Sequence, residues 1–209
     1  MRPSGWCKLD ADGGSGDAQA IREVLGIVVD CDWSTYPHVT DGGLLEEVLR
    51  RQRIADPDGT RHRAFKQRFI AMIGDYISRD PASVREIPGA ATLLGMLRHR
   101  ADCRVAIATG GWRETALLKL DAAGFDLDGI ALATSSDAHP RVEIMRIAAR
   151  RALGGLQSSR RTYFGDGPWD QRACRDLGWD FIAIGGNVTH DPAFESFSEQ
   201  AAILSRLGF

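Results

Sequence analysis

The sequence predicts an α/β fold: a doubly wound parallel sheet that carries a mainly helical insertion. From Pro88 onward, short apolar segments typical of buried strands alternate with helical segments, which is the pattern of right-handed crossovers between parallel strands. Glycines and polar side chains follow several of these segments, where open α/β sheets bind ligands. Residues 17–87 show mainly helical periodicity. We therefore expect a core domain made of residues 1–16 and 88–209, and a helical insertion made of residues 17–87.

The elements of this fold follow from apolar periodicity and from the glycines and prolines between them. In the core, strands are expected at residues 103–109, 129–133, 161–166 and 181–184. The core helices are expected at residues 89–99, 111–123, 140–153 and 168–177, and at about 194–207. The helices of the insertion are expected at residues 19–25 and 44–53, and at about 62–78. Asp41 is expected to cap the second of these helices.

Composition excludes several classes of partner. The chain has 209 residues, a net charge of -2 and a hydrophobic content of 44%, so nothing in its charge favours nucleic acid or an anionic membrane. No segment is apolar and long enough for a signal peptide or a membrane span. The four cysteines lack metal-ligand spacing, and we expect reduced thiols in a cytoplasmic protein. The sequence leaves a monomer and a homodimer equally open.

An acidic motif follows the apolar run at residues 162–164. In this motif, GDGPWD at residues 165–170, two glycines bracket Asp166, and a proline suited to a first helical turn precedes Asp170. Both carboxylates should lie at the carboxyl end of one parallel strand. Carboxylate oxygens in such a place suit Mg²⁺ better than a soft transition metal. The alternative is an Asp-Gly loop with a carboxylate that only caps a helix.

Two further segments predict a site for a phosphoryl group. The apolar strand that ends at Thr109 is followed by Gly110 and Gly111 at a helix start. A hydroxyl and free backbone N–H groups there would bind phosphoryl oxygens, although Thr109 could also serve only as a helix cap. Arg141 begins another helix and could reach the same oxygens, its alternative being a surface arginine.

The order of these motifs resembles the haloacid dehalogenase-like (HAD) hydrolase superfamily. Thr109 matches its second motif, Arg141 its third, where lysine is the commoner residue, and GDGPWD its fourth. The segments ATGGWRETALLKL, TYFGDGPWDQRACRDLGW and DWSTYPHVTDGGLLEEVL look like those of phosphoglycolate-phosphatase-like bacterial members. The resemblance covers about residues 21–187 and implies the HAD core with a helical cap.

The resemblance also implies an activity: Mg²⁺-dependent hydrolysis of a small phosphorylated metabolite through an aspartyl-phosphate. One aspartate of the first motif attacks phosphorus, and a second, two residues later, transfers the protons. Asp166 and Asp170 would bind Mg²⁺, which offsets the charges of nucleophile and phosphate. Thr109, with its two glycines, and Arg141 would hold the transferred group.

The first motif is where the sequence departs from the family. The family places Asp-x-Asp-Gly-Thr after the first strand. Asp10 and Asp12 keep both carboxylates and the first glycine but lose the threonine, and Asp10 then serves as nucleophile and metal ligand together with Asp12. Asp30 and Asp32 follow a better apolar run, residues 27–29, but the resemblance places them in the cap. A third possibility is that the nucleophile is missing, which would leave a degenerate protein that binds a phosphorylated ligand or partner. A central strand from residues 3–10 is expected, because its neighbours would otherwise leave backbone groups unpaired.

Overall fold

The computed structural model describes residues 16–29, 32 and 35–209, which form a sheet region and a helical layer. The described helices are α1 (Gly16–Leu25), α2 (Asp41–Arg51), α3 (Thr60–Arg79), α4 (Ala90–Arg98), α5 (Arg113–Ala122), α6 (Arg141–Leu153), α7 (Pro168–Leu177) and α8 (Gln200–Leu207), with a short 3-10 turn at Pro81–Ser83. The described strands are β1 (Ala106–Ala108), β2 (Ala131–Ala133), β3 (Thr162–Gly165), β4 (Asp180–Ile184) and β5 (Ala193–Phe194). None of these helices is both long and apolar enough to cross a lipid bilayer.

All strand pairs in the described residues are parallel. They form two separate ladders, one of β1 and β2 and one in the order β3–β4–β5. The chain returns through a helix between successive strands of the first four, which is the connection that parallel pairing requires. The α/β class expected from the sequence is therefore confirmed.

Helices cover both faces of the three-stranded ladder, because successive strand residues point to opposite faces. On one face, Tyr163 of β3 packs with α6 and α7 in a cluster that also contains Met145 and Cys174. On the other face, Phe164 packs with Leu93 of α4 and with α8. This two-sided cover is the arrangement that the alternation of strands and helices predicts.

The two ladders face each other along β1 and β3, a boundary that we call the seam. Every residue of β1 and β3 is only half-buried, whereas β2 and β4 are buried except for one residue at the start of each. Central strands of a doubly wound sheet are normally its most buried strands. In residues 16–29, 32 and 35–209 no strand lies in the seam, and residues 3–10, which were expected to fill it, lie outside that range.

The helical layer consists of α1, α2 and α3 around one continuous apolar core. Its buried side chains include Ile21 of α1, Leu45 of α2, and Phe65 and Phe69 of α3. Trp112 belongs to the loop before α5 but is buried in this same core, and its ring meets the two phenylalanine rings edge to face at 5.7 and 5.5 Å. The helical layer is thus closed by a residue that the sheet region supplies.

Two expectations for local structure were wrong. The last helix begins at Gln200 rather than near Phe194, because Phe194 pairs with Ile184 in a two-residue strand too short to show a period. Asp41 does not cap α2, because the hydroxyl of Thr40 accepts the N–H of Gly43. Asp41 is instead the first residue of that helix, and its carboxylate makes a contact that is described below.

Candidate functional site

The second motif forms a tight loop between β1 and α5. The backbone N–H of Thr109 continues the β1–β2 ladder by donating to the carbonyl of Ala133 at 3.0 Å. Its hydroxyl accepts the N–H of Gly111 at 3.2 Å. The chain then reaches the buried Trp112, after which α5 begins. Thr109 therefore organises the loop at the carboxyl edge of the sheet.

Gly110 is closely approached by its neighbours. A Cβ atom at this position would lie 2.9 Å from Nη2 of Arg141 and 3.1 Å from the carbonyl oxygen of Val39. The methyl group of Thr40 would be 3.2 Å away. Because these distances are shorter than ordinary van der Waals contacts, a side chain here would push its neighbours apart, and glycine lets the arginine and the segment before α2 reach the loop backbone.

Arg141 contacts two of the predicted motifs at once. It is the first residue of α6, and 12% of its side chain is exposed. Its Nη2 atom lies beside Gly110 and donates a long hydrogen bond of 3.5 Å to the carbonyl of Val39. Its Nε atom is 3.4 Å from Oδ1 of Asp170. The surface-arginine alternative is therefore wrong, because this guanidinium lies between the second and fourth motifs.

Asp170 is a buried carboxylate at the start of α7. Its Oδ2 atom accepts the N–H of Gly167 at 3.3 Å. In the described part of the chain, neither its Oδ1 atom nor Nε of Arg141 has a hydrogen-bond partner, although both are buried. Burial raises the pKa of Asp170, the Arg141 guanidinium lowers it, and the nearby Asp166 charge raises it further. A buried, unsatisfied carboxylate oxygen of this kind is a place where a cation would be favoured.

Asp166 stands at the turn between β3 and α7 and is partly exposed. Gly165 precedes it, and a Cβ atom on that glycine would lie 2.7 Å from the Cβ of Asp170. The glycine thus lets the first turn of α7 fold back against the end of β3. This packing brings the two carboxylates of the fourth motif close enough for one charge to affect the pKa of the other.

Tyr163 connects the two ladders below this acidic pair. Its hydroxyl donates to the carbonyl of Ala108 at 2.9 Å and so spans the seam. Burial and the charge of Asp170 raise the pKa of Tyr163, while Arg141 lowers it. The phenol therefore stays protonated and remains a hydrogen-bond donor.

The structure brings together Gly110, Arg141 and Asp170 by direct contact, with Thr109, Gly111 and Asp166 adjacent in the same loops. Asp10, Asp12 and Asp30 lie outside the described residues.

Of the second candidate for the first motif, Asp30 and Asp32, the structure describes Asp32. Asp32 is exposed, and its backbone carbonyl accepts the hydroxyl of Thr35 at 3.1 Å. Ile27 and Val29, which precede this candidate, pack against the core of the helical layer and belong to neither ladder. The apolar run before this candidate therefore belongs to the helical layer and not to the sheet region.

Within the described residues, the donor set suits Mg²⁺ in type and provides two acidic side chains, Asp166 and Asp170. Carboxylate oxygens are the ligands that Mg²⁺ prefers, and Asp170 offers an oxygen without a partner. Among the residues that the structure describes, no three His, Cys, Asp or Glu side chains form a metal cluster. A complete site at Asp166 and Asp170 would therefore need ligands from elsewhere, such as another carboxylate, substrate oxygens or water.

Sequence patterns gave no role to several residues that shape this site. The first turn of α2, residues 40–43, is buried against both loops that carry the predicted phosphoryl ligands. Ser135 and Tyr163 were not singled out by any motif. Asp41 and Thr40 stand at the start of α2, where the Asp-Gly-Gly sequence signals only a helix start. Their actual partners are 71 and 99 residues away in the chain, beyond any local pattern.

Comparisons with known proteins extend the fold assignment. Neither a protein-family model nor a curated protein sequence matches the chain. Among solved structures, a hydrolase from Pseudomonas syringae superposes with a TM-score of 0.66 at 20% sequence identity, over 92% of this chain and 91% of that one. The chain shares that fold. At this level of identity the likeness concerns architecture alone, so the activity must be argued from the residues of the site.

Proposed function

We propose that the protein is a Mg²⁺-dependent phosphatase of the HAD type that hydrolyses small phosphomonoesters. One observation supports this most strongly: Arg141 lies between Gly110 of the second motif and Asp170 of the fourth motif. A guanidinium so placed can neutralise a phosphoryl group that is held by the first loop beside a cation that is held by the second. The common fold with a hydrolase is in keeping with this function.

The phosphoryl group would be held by the loop of residues 109–111 and by Arg141. The hydroxyl of Thr109 accepts a hydrogen bond from Gly111, which leaves its own hydrogen available to a phosphoryl oxygen. The guanidinium of Arg141 supplies positive charge and further N–H donors. These groups bind a dianion without reference to the rest of the ester, so the group attached to phosphorus would be chosen by other parts of the cleft.

Asp166 and Asp170 would hold the metal ion together with Asp10. When bound, Mg²⁺ supplies positive charge that offsets the charges of the nucleophile and the phosphate. The ion would also satisfy Oδ1 of Asp170, which lacks a hydrogen bond among the described residues. Its charge would favour the ionised form of that carboxyl, against the effect of burial.

The chemistry carried over from the family resemblance needs two further carboxylates, which we assign to Asp10 and Asp12. The Asp10 carboxylate attacks phosphorus while the bond from phosphorus to the ester oxygen breaks, and Asp12 gives its proton to that oxygen. Water then attacks phosphorus in the acyl phosphate and loses a proton to Asp12, which releases inorganic phosphate and regenerates Asp10. For this sequence of steps, Asp10 must stand at the carboxyl edge of the seam.

Turnover of para-nitrophenyl phosphate with and without Mg²⁺ tests this function. We expect Asp10→Asn and Asp166→Asn to lower kcat roughly 10³-fold or more, because each removes a group used in the transition state. Asp176→Asn is the matched control, since Asp176 is exposed on the same helix as Asp170 and should leave kcat unchanged. Removal of Mg²⁺ with EDTA should abolish turnover. Activity that survives Asp166→Asn would contradict the proposal.

A second candidate function is phosphoryl binding without catalysis, and the departure of the sequence from the family's first motif favours it. Asp10 and Asp12 keep the two carboxylates of that motif, but the threonine that the family places after them is absent. A protein of this kind would bind inorganic phosphate with Mg²⁺ in titration calorimetry but would show no turnover. Turnover that is lost in Asp10→Asn would exclude this alternative.

A further inference from the structure

The first turn of α2 is the most deeply buried polar segment of the helical layer. Thr40 and Asp41 are each 1% exposed, and Gly42 and Gly43 are also buried. A buried polar side chain is costly unless it is hydrogen-bonded. The hydrogen bonds of this turn therefore explain why polar residues are buried there. Most of these hydrogen bonds join residues outside the helical layer.

Asp41 binds the second-motif loop at two points. Its backbone N–H donates to the carbonyl of Gly110 at 2.8 Å. Its Oδ2 atom accepts the backbone N–H of Trp112 at 2.7 Å. Trp112 precedes the first residue of α5, so the carboxylate also lies at the positive end of that helix dipole. The peptide units between Gly110 and Trp112 are fixed at both ends by one residue.

The same turn also binds the loop that leads to Arg141. The N–H of Gly42 donates to Oγ of Ser135 at 2.8 Å, and the Thr40 hydroxyl donates to the carbonyl of His139 at 2.9 Å. The N–H of Ser135 in turn donates to the carbonyl of Gly111 at 2.9 Å. Both loops that carry the proposed phosphoryl ligands are thus connected through three residues at the start of α2: Thr40, Asp41 and Gly42.

We infer that Asp41 is a positioning residue for the proposed phosphoryl site: it holds the Gly110–Trp112 backbone in place and so sets the distance from that loop to Arg141. This inference rests on the proposed function for its consequence in binding, but the contact itself is independent of any ligand. Asp41 would touch neither phosphate nor metal. Asp41 would affect phosphate and metal binding through the position of the loop, and only while the start of α2 is bound to that loop.

A different role for the same carboxylate is electrostatic. A negative charge next to a phosphoryl site repels the ligand, so Asp41 would weaken phosphate binding instead of supporting it. Asp41→Asn separates the two roles, because its amide oxygen can still accept the N–H of Trp112 while the charge is removed. Positioning predicts that this variant resembles the wild type, whereas repulsion predicts that it binds phosphate more tightly.

Hydrogen–deuterium exchange of the full chain without ligand tests the contact itself. In Asp41→Ala we expect exchange in peptides covering residues 109–114 to accelerate roughly tenfold, the order of one lost hydrogen bond to a charged group. Asp41→Asn should change it less than about threefold. Asp56→Ala is the matched control, because Asp56 accepts the N–H groups of Arg61 and His62 within the helical layer. It should affect residues 59–64 and leave the loop unchanged.

Ser135→Ala provides a second, milder variant in case Asp41→Ala fails to fold. It removes the acceptor of the Gly42 N–H from the other loop, so exchange should accelerate in residues 109–114 as well. The inference would be overturned if exchange of that loop were unchanged in Asp41→Ala. If Asp41→Ala does not fold, unchanged exchange in Ser135→Ala would overturn it instead.

Binding of inorganic phosphate in the presence of Mg²⁺ tests the consequence. We expect Asp41→Ala to weaken binding roughly tenfold and Asp41→Asn to stay within about threefold of the wild type. Tighter binding by Asp41→Asn would overturn the positioning role in favour of repulsion. A wild type that binds no phosphate would refute the proposed function, and the exchange data would still decide whether Asp41 positions the loop.

Discussion

The helical layer and the sheet region differ in how completely their buried side chains are packed or hydrogen-bonded. The core of the helical layer is continuous, and Trp112 closes it between Phe65 and Phe69. The sheet region consists of two ladders that meet at half-buried strands, and Tyr163 is the side chain that spans them by a hydrogen bond. Above that seam, Arg141 and Asp170 are paired but poorly hydrogen-bonded.

This difference indicates that stability and function are divided between the two regions. Burial of apolar side chains, as in the core of the helical layer, is the main source of folding free energy. Buried charges without complete hydrogen bonds cost free energy and are typical of sites that await a ligand. Three substitutions test the division, one in the helical core, one in the charged pair and one at the seam.

Trp112→Ala should have the largest effect, because it empties the centre of the shared apolar core. We expect the free energy of unfolding to fall by about 4 kcal/mol, the usual cost of a buried Trp→Ala change. Urea unfolding followed by circular dichroism measures it. Leu118→Ala on α5, where 37% of the leucine is exposed, is the control and should cost under about 1 kcal/mol. Equal losses in the two variants would mean that Trp112 does not close the helical core.

Arg141→Met should cost about 3 kcal/mol at neutral pH, because it leaves the Asp170 carboxylate buried without its counter-charge. The pKa of Asp170 is already raised by burial, so the folded protein binds a proton that the unfolded chain releases near its ordinary pKa. The stability contributed by protonation is present at low pH and is lost as pH rises through the raised pKa. The deficit of Arg141→Met should therefore shrink as the solution is acidified.

Urea midpoints of Arg141→Met at several pH values between 5 and about 7.5 measure this dependence. The double variant Arg141→Met, Asp170→Asn is the control, because it removes both charges and should recover most of the lost stability. A pH-independent deficit that the double variant does not relieve would contradict an electrostatic origin.

Tyr163→Phe should have the smallest effect of the three. It removes the hydrogen bond to Ala108 across the seam and leaves the ring packing intact, so we expect a loss of about 1 kcal/mol. Tyr76→Phe on α3 is the control, since Tyr76 is partly exposed, and should stay within about 0.5 kcal/mol of the wild type. A loss as large as that of Trp112→Ala would show that the seam is as tightly packed as the helical core.

Much of the fold could be predicted because its signals are local. Pro168 and Gly178 mark the two ends of α7, and the helix begins and ends where these residues predict. Gly154 similarly ends α6 in the left-handed conformation that favours glycine. The parallel strands followed from their alternation with such helices, whereas the two-residue strand β5 has no period and was missed.

The candidate site was only partly predictable. Local sequence identified Thr109, Arg141 and Asp166 as residues with site chemistry, because each follows a strand or begins a helix. It could not show that Arg141 would pair with Asp170, since the two lie on different helices. Nor could it distinguish Asp41 as a helix cap from Asp41 as a partner of Trp112, because the local pattern is the same for both. Asp10 and Asp12 remain predictions.

The burial of Trp112 has a consequence for anyone who wishes to exchange parts of this protein. A chimera that replaces residues 17–87 with the helices of another protein of this fold would remove the helices that enclose this indole. The transplanted helices would need a side chain that fills their core as Trp112 does here. That side chain lies in a segment of their own protein that the graft leaves behind. The practical unit of transfer is therefore discontinuous, residues 17–87 together with 109–113, and a graft cut at the apparent domain border should be poorly soluble.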